Sequence, residues 1–176
     1  IIETDDDNIP EDNFFDHSLN VDKVEMVGTH RWINVYKHFS NEKIWPRGNP
    51  LNETENLGET VDWVSEDFPI QQYLADGDPD VDAVYRMLNK TALTFERRQP
   101  LCLANESWCS FNSQNTFFHK SFFPCLYLPS FVSFRMTDIW RSFVAQFVLK
   151  SQRKKMLFGN ATVFQERNKH DLIEDF

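Results

Sequence analysis

The first eight residues constrain the fold of this chain most, because an apolar pair runs directly into consecutive carboxylates. The sequence begins Ile-Ile-Glu-Thr-Asp-Asp-Asp-Asn. This pattern indicates the end of a buried strand followed by an acidic loop. The chain has no initiator Met, so we expect residues 1–176 to be one partial domain whose preceding segment is missing.

The acidic run has two explanations. In extended backbone, side chains two residues apart point the same way, so Asp5 and Asp7 could converge on one hard divalent cation, Mn²⁺ or Mg²⁺. Acidic residues near a terminus also occur as solvated, frayed tails. An EF-hand is excluded, because the sixth position of a loop that starts at Asp5 is Pro10 and not glycine.

The bulk composition limits the class of protein. With 176 residues the chain suits one domain with a core of its own, and a hydrophobic content of 41% argues against disorder. The 17 phenylalanines predict a ring-rich core or binding groove. A net charge of -9 disfavours nucleic acid as a partner. An upstream signal or membrane anchor stays open.

Cysteines and sequons bear on the compartment. Cys102 and Cys109 flank a short polar loop and could form a disulfide, which would leave Cys125 unpaired, or all three could be free thiols. The chain also contains four glycosylation sequons, which favour a secretory lumen; they lie at Asn52, Asn89, Asn105 and Asn160.

Two stretches predict helices that start at aspartates. Residues 76–82 are acidic, and the helical spacing that follows Pro79 predicts a helix with Asp80 as its N-cap, although this cluster could instead face a ligand. A longer helix should begin at Thr137 or Asp138, and Asp138 in its first turn is a candidate cap or base. Its apolar stripe predicts core residues at Ile139, Trp140, Phe143, Val144, Phe147 and Val148.

Two polar segments are ambiguous. Residues 108–116 hold amides and hydroxyls between aromatic residues, which suits either a hydroxyl-rich ligand or a surface loop. Residues 165–171 are polar and carry His170, and a lone histidine is more often exposed than catalytic.

Several segments, taken together and in order, resemble the plant Golgi STELLO proteins and related animal proteins, a glycosyltransferase-like group similar to the reversibly glycosylated polypeptides. The matching stretches are Trp-Pro-Arg-Gly-Asn-Pro-Leu at 45–51, Pro-Ile-Gln-Gln at 69–72, Asp-Pro-Asp-Val-Asp at 78–82, Phe-Asn-Ser-Gln-Asn-Thr at 111–116, and Leu-Pro-Ser-Phe-Val-Ser at 128–133 leading into Thr-Asp-Ile-Trp-Arg at 137–141.

The resemblance implies an α/β fold: the C-terminal part of a GT-A-like, Rossmann-related mixed sheet, mainly parallel and flanked by helices, without its N-terminal nucleotide-binding units. It places an Asp-X-Asp motif, here residues 5–7, just after a central strand. It further implies that Asp5, Asp7 and His170 bind Mn²⁺ or Mg²⁺ and that Asp138 is the catalytic base. The substrate-binding residues would be Arg47, Asp78, Asp80, Asn112 and Gln114.

Two functions are compatible with this resemblance. The first is a metal-dependent glycosyltransferase that moves a sugar from a nucleotide sugar to a glycan or protein acceptor in the Golgi lumen, anchored in full length by a single upstream membrane helix. The second is a non-catalytic GT-A-like scaffold that organises glycan synthase complexes. The chain departs from the family after Arg141, where a basic stretch at 150–155 replaces the expected aromatic and glycine-rich continuation.

Overall fold

The computed structural model describes residues 1–167, in which eight strands form one sheet flanked by helices. The strands are β1 (Ile2–Thr4), β2 (Asn8–Pro10), β3 (Asn20–Gly28), β4 (Glu59–Asp67), β5 (Ile70–Gly77), β6 (Leu101–Leu103), β7 (Asn115–Phe118) and β8 (Met156–Gln165). The α-helices are α1 (Tyr36–Phe39), α2 (Ala83–Leu88) and α3 (Thr137–Ser151), and short 3-10 helices span Leu51–Glu53, Lys120–Leu126 and Phe134–Met136.

The sheet is mixed, which confirms the predicted fold class. Its strand order is β1-β7-β5-β8-β6-β3-β4, and β2 pairs with β8 beside this path. The expectation of a mainly parallel sheet is wrong for the described residues, because only β3–β6 and β5–β8 pair in parallel. Parallel neighbours need a crossover, usually helical, and α3 is the only α-helix longer than six residues within residues 1–167.

The acidic motif follows an edge strand of this sheet and not a central one. β1 pairs only with β7 in the strand order, with Glu3 opposite Thr116. The centre is formed by β5 and β8, whose side chains alternate between two apolar layers. Phe158 packs in the layer that contains Leu149 of α3, whereas Leu157 packs on the opposite face with Phe68.

Helix α3 begins where the sequence predicts, but a different face is buried. Trp140, Val144 and Phe147 are 53%, 61% and 66% exposed, so the prediction that the apolar stripe is entirely core is wrong. Only Ile139 of that stripe is fully buried. The buried face is partly polar and consists of Asp138, Ile139, Arg141, Ser142, Ala145, Gln146 and Leu149.

A buried ion pair explains the polar inner face of α3. The Arg141 guanidinium is almost fully buried and lies 2.7 Å from the Glu3 carboxylate of β1, to which it also donates through Nη1 at 2.9 Å. It donates to Ser113 Oγ at 3.0 Å and lies over the Phe118 ring, 5.4 Å from the centroid. Charge pairing across 138 residues therefore selects the helix face that turns inward.

Three smaller findings complete the fold. The N-cap of α2 is Asp82 and not Asp80, since Asp82 Oδ1 accepts from the amides of Val84 and Tyr85. Cys102, Cys109 and Cys125 are free thiols, so the disulfide alternative is absent from this structure. Among residues 1–167 no helix has both the length and the apolar character that crossing a bilayer requires.

The Glu3–Arg141 pair gives a stability prediction. Glu3→Gln leaves the Arg141 charge buried without its partner, and we expect a loss of about 3 kcal/mol in the free energy of unfolding, measured by urea denaturation. Adding Arg141→Met should restore most of this loss, because the unpaired charge is then gone. Glu96→Gln in the exposed pair with Arg98 is the control, with an expected change below about 1 kcal/mol. A Glu3→Gln effect as small as the control would contradict the assignment.

Candidate functional site

A cavity of about 280 Å³ lies where the ends of β1 and β5 meet the start of α3. Connections at the carboxyl ends of strands are the usual ligand sites of α/β sheets. The cavity draws on segments that are far apart in sequence; its lining is Asp5, Arg47, Asp80, Val81, Ala83, Arg86, Ser113, Leu128, Phe134, Arg135, Thr137, Asp138 and Arg167. The fold thus brings together four residues predicted for the site: Asp5, Arg47, Asp80 and Asp138.

Arg47 lies at the centre of the polar side of the cavity. Its guanidinium donates to Asp138 Oδ1 at 3.0 Å and to Asp138 Oδ2 at 3.3 Å. It also donates to the Asp80 carboxylate and to the backbone carbonyl of Arg135. One planar cation with several fixed donors therefore holds two carboxylates and the segment before α3 in one arrangement.

The loop that carries Arg47 is fixed by its backbone. Gly48 has a φ of +86°, a conformation that side chains disfavour, and a Cβ there would lie 2.5 Å from Ile139 Cγ2. The carbonyl of Arg47 accepts a hydrogen bond from Ser110 Oγ. The loop therefore packs directly onto the first turn of α3, which places Arg47 beside Asp138.

Asn112 and Gln114 lie behind the cavity and not on its surface. Both are buried, and neither belongs to the lining. Asn112 Nδ2 donates to the Asp80 carbonyl at 3.0 Å, and the Asp80 amide donates to Gln114 Oε1 at 3.0 Å. These amides therefore position the Asp80 loop, a role that differs from the predicted contact with substrate.

Asp138 has the geometry expected of a positioned carboxylate. It lies in the first turn of α3, is largely buried, and accepts from the Ser113 amide at 3.4 Å in addition to Arg47. The structure thus presents one oriented carboxylate to the cavity, although its catalytic role stays a prediction.

Asp5 lines the cavity with a carboxyl whose pKa is clearly raised. Burial raises the pKa of its carboxyl to about 6, and the charges of Asp80 and Asp7 add to this effect, while Arg167 opposes it. A carboxyl crowded by other carboxylates gains stability from any bound cation or proton. Asp5 is therefore the side chain of the acidic motif best placed to hold a metal ion.

Asp5 and Asp7 do not follow the extended backbone on which their predicted convergence rested. The chain turns after β1, where the Asn8 amide donates to the Asp5 carbonyl at 3.3 Å. The Asp7 carboxylate accepts from Gln165 Nε2 at 2.9 Å and is not part of the cavity lining. Residues 1–167 contain no cluster of three or more potential metal ligands, and His170 lies outside the described residues.

Three arginines that sequence reasoning missed also line the cavity: Arg86, Arg135 and Arg167. Arg86 of α2 and Arg167 after β8 both pair with Asp78, at 3.1 and 3.3 Å. Asp78 itself lies outside the lining and acts as their anchor. No local motif marks either arginine, because their meeting depends on the parallel pairing of β5 with β8.

The four sequons differ in accessibility. Asn52 and Asn105 are exposed on connecting segments, and Asn89 is exposed with its side chain donating to the Tyr85 carbonyl at 3.0 Å. Asn160 lies within β8, where its amide donates to the Arg98 carbonyl at 2.9 Å and accepts from the Arg98 amide at 2.8 Å. Glycosylation of Asn160 would place a sugar on the Nδ2 atom that donates to the Arg98 carbonyl.

Arg47→Lys tests the central guanidinium. A lysine keeps the charge but cannot donate to Asp80, Asp138 and the Arg135 carbonyl together, so we expect a loss of roughly 1–2 kcal/mol of stability. Hydrogen exchange should speed up at the amides of residues 134–140. The control is Arg98→Lys, at an exposed arginine, which should leave that exchange unchanged. Unchanged exchange in Arg47→Lys would contradict the positioning role.

Asp5→Asn tests the crowded carboxyl through its pH dependence. The pKa of Asp5 is about 6 in the folded chain against a usual 3.8, so the folded state holds a proton that the unfolded state releases over that interval. This group therefore favours folding at low pH and opposes it above about pH 6. We expect Asp5→Asn to raise Tm near about pH 7.5 and to change it little near about pH 4, measured by circular dichroism. A Tm difference that is equal at both pH values would count against the raised pKa.

Comparison with known proteins supports one family. No family model matches the chain. The chain is 36% identical over 129 residues to each of two proteins of Arabidopsis thaliana, named "Probable glycosyltransferase STELLO2" and "Probable glycosyltransferase STELLO1". Each match covers 66% of this chain but only 16% of the relative, so the chain spans a small part of the length of these proteins. This homology supports the assignment of the chain to a STELLO-like glycosyltransferase family.

Proposed function

We propose that the protein is a metal-dependent glycosyltransferase of the secretory pathway, which moves a sugar from a nucleotide-sugar donor to an acceptor hydroxyl. The observation that carries the proposal is the convergence of Asp5, Arg47, Asp80 and Asp138 on one cavity beside the start of α3. The glycosyltransferase-like names of the relatives agree with it. The exposed sequons at Asn52 and Asn105 support a lumenal location, which we take to be the Golgi, with a membrane anchor in the full-length protein.

The residues present fit a divalent cation in part. Carboxylate oxygens suit Mn²⁺ and Mg²⁺. Burial and nearby aspartates raise the pKa of Asp5, so its negative charge is unfavourable in the absence of a cation. Asp5 would be the principal protein ligand, with Asp7 and Asp80 nearby. Since the described residues do not bring three potential ligands together around one ion, water would fill much of the coordination shell, as Mg²⁺ commonly requires.

The charge of the cavity is consistent with this proposal. Four arginines and three aspartates line it, so its net charge is close to zero while the whole chain carries -9. A diphosphate together with a divalent cation adds little net charge to such a site. When bound, the cation would act as a Lewis acid that stabilises the leaving diphosphate.

The chain's own residues would orient the acceptor and move its proton. Arg47 holds the Asp138 carboxylate in one orientation through two hydrogen bonds, which reduces the reorganisation needed during reaction. Asp138 would accept the proton of the acceptor hydroxyl as general base. Asn112 and Gln114 would keep Asp80 in register through its backbone.

A second candidate is a non-catalytic scaffold that organises glycan synthases. Two observations favour it: Arg47 binds both Asp80 and Asp138, and no cluster of three metal ligands exists within residues 1–167. The exposed apolar face of α3 offers a surface for partners of this kind. A scaffold of this type would retain the fold and would not bind nucleotide with metal.

Binding of Mn²⁺ separates the two functions. Titration of the chain with Mn²⁺, followed by electron paramagnetic resonance, should show binding that Asp5→Asn weakens by roughly tenfold or more. Asp12→Asn, an equal charge change at an exposed residue, is the matched control and should bind as the wild type does. In the full-length protein, Asp5→Ala with Asp7→Ala should abolish Mn²⁺-dependent hydrolysis of the nucleotide sugar.

The opposite results would favour the scaffold. Equal Mn²⁺ affinity in Asp5→Asn and Asp12→Asn would remove the metal assignment. Calorimetric titration of the full-length protein with UDP and Mn²⁺ that shows no heat of binding would remove the transferase.

A further inference from the structure

The segment that precedes α3 carries aromatic surface that the core does not explain. Phe131 and Phe134 are 98% and 85% exposed, and Leu128 is exposed as well. Single exposed apolar residues are ordinary, but here three lie within seven positions of one segment. We call Leu128, Phe131 and Phe134 the apolar rim.

The apolar rim adjoins the candidate site. Leu128 and Phe134 both line the cavity that contains Asp5, Arg47 and Asp138. The cavity lining therefore contains two chemically different groups of residues: charged or hydroxyl-bearing ones, and apolar ones, which are Val81, Ala83, Leu128 and Phe134. A ligand that fills it must itself have an apolar face and a polar edge.

The Arg47 guanidinium contacts both the segment that carries the apolar rim and the Asp138 carboxylate. Arg47 donates to the Arg135 carbonyl, next to Phe134, and to the Asp138 carboxylate. The turn between them is closed by Thr137 Oγ1, which donates to the Phe134 carbonyl at 2.9 Å, and by the Met136 amide, which donates to the Ser133 carbonyl at 2.9 Å. The Phe134 backbone is thus fixed relative to the carboxylate, although its ring is exposed.

We propose that the apolar rim is the acceptor subsite and that it binds a neutral carbohydrate, whose ring stacks on Phe134 while its hydroxyl groups reach Asp138 and Arg47. A pyranose ring has C–H groups on its faces and hydroxyl groups at its edge, which matches an aromatic ring beside paired charged groups. This inference rests on the proposed transferase, because it selects a glycan over a protein as acceptor.

Charge and size support the carbohydrate over other ligands. The four arginines and three aspartates of the lining nearly cancel, so the cavity gives little net attraction to a charged organic ligand, and a neutral polyhydroxyl compound meets no net repulsion. The volume of about 280 Å³ is just below the usual range for small-ligand pockets, which begins at about 300 Å³, and suits a ligand as small as one sugar unit. A lipid chain would leave these charged groups without partners.

Saturation-transfer NMR tests the subsite with maltotetraose, cellotetraose and tetra-N-acetylchitotetraose as separate probes. We expect the wild-type chain to transfer saturation from aromatic protons to at least one probe. Phe134→Ala should weaken that binding by about fivefold or more, since one stacked ring is lost. Phe147→Ala is the matched control, because Phe147 is an exposed phenylalanine on α3 outside the cavity lining, and it should bind as the wild type does.

The samples contain neither nucleotide nor metal, so a negative result here contradicts the carbohydrate subsite and leaves the outcome of the Mn²⁺ titration unaffected. Binding of no probe, equal binding by Phe134→Ala and the wild type, or equal losses in Phe134→Ala and Phe147→Ala would each overturn the proposal. Sedimentation with phosphatidylcholine–phosphatidylserine vesicles that Phe131→Ala and Phe134→Ala abolish would overturn it too, and would assign the apolar rim to a membrane surface.

Discussion

The site depends on one guanidinium group. Arg47 donates to carboxylates from the turn after β5 and from the first turn of α3, and to a carbonyl of the segment between the cavity and that helix. Because its donors lie in one rigid plane, the positions of its three acceptors are fixed relative to each other. Asn112 and Gln114 fix one acceptor from behind, and Gly48 fixes the arginine itself. The polar side of the cavity is therefore one rigid unit.

Asp5 stands apart from this unit. Asp80 and Asp138 both pair with the Arg47 guanidinium, whereas burial and the neighbouring aspartates raise the pKa of Asp5. Arg47, Asp80 and Asp138 therefore pair with one another and fix the geometry of the site. Asp5 has less electrostatic compensation, which favours binding of a proton or a metal ion. A preorganised frame around one electrostatically unfavourable group is typical of binding sites, and it agrees with both the transferase and a ligand-dependent scaffold.

Local sequence patterns predicted the parts of this protein that depend on local physics. The strand end before the acidic run, the start of α3 and the place of Asp138 in its first turn all follow from spacing and propensity, and the structure has them. The resemblance to the STELLO proteins then selected Arg47, which no local rule marks, and assigned Asp80 to the site.

What failed depends on contacts between distant residues. Hydrophobic periodicity placed Trp140 and Phe147 in the core, but the pairing of Arg141 with Glu3 turns another face inward. Arg86 and Arg167 reach the cavity only because β5 and β8 lie side by side. Asn112 and Gln114 were predicted as substrate-binding residues. Their position behind the cavity could not be predicted, because it depends on their hydrogen bonds to the distant Asp80 backbone.

The contact between Gly48 and Ile139 bears on how this site can vary among relatives. The γ-methyl group of Ile139 occupies the space that any side chain at position 48 would need, and the backbone there has a left-handed conformation. A substitution at position 48 would push the arginine loop and the first turn of α3 apart, and a smaller residue at position 139 would relieve only the steric part of that cost. The two positions should therefore covary, and a relative with a side chain at position 48 will have lost the link between its arginine and its helix.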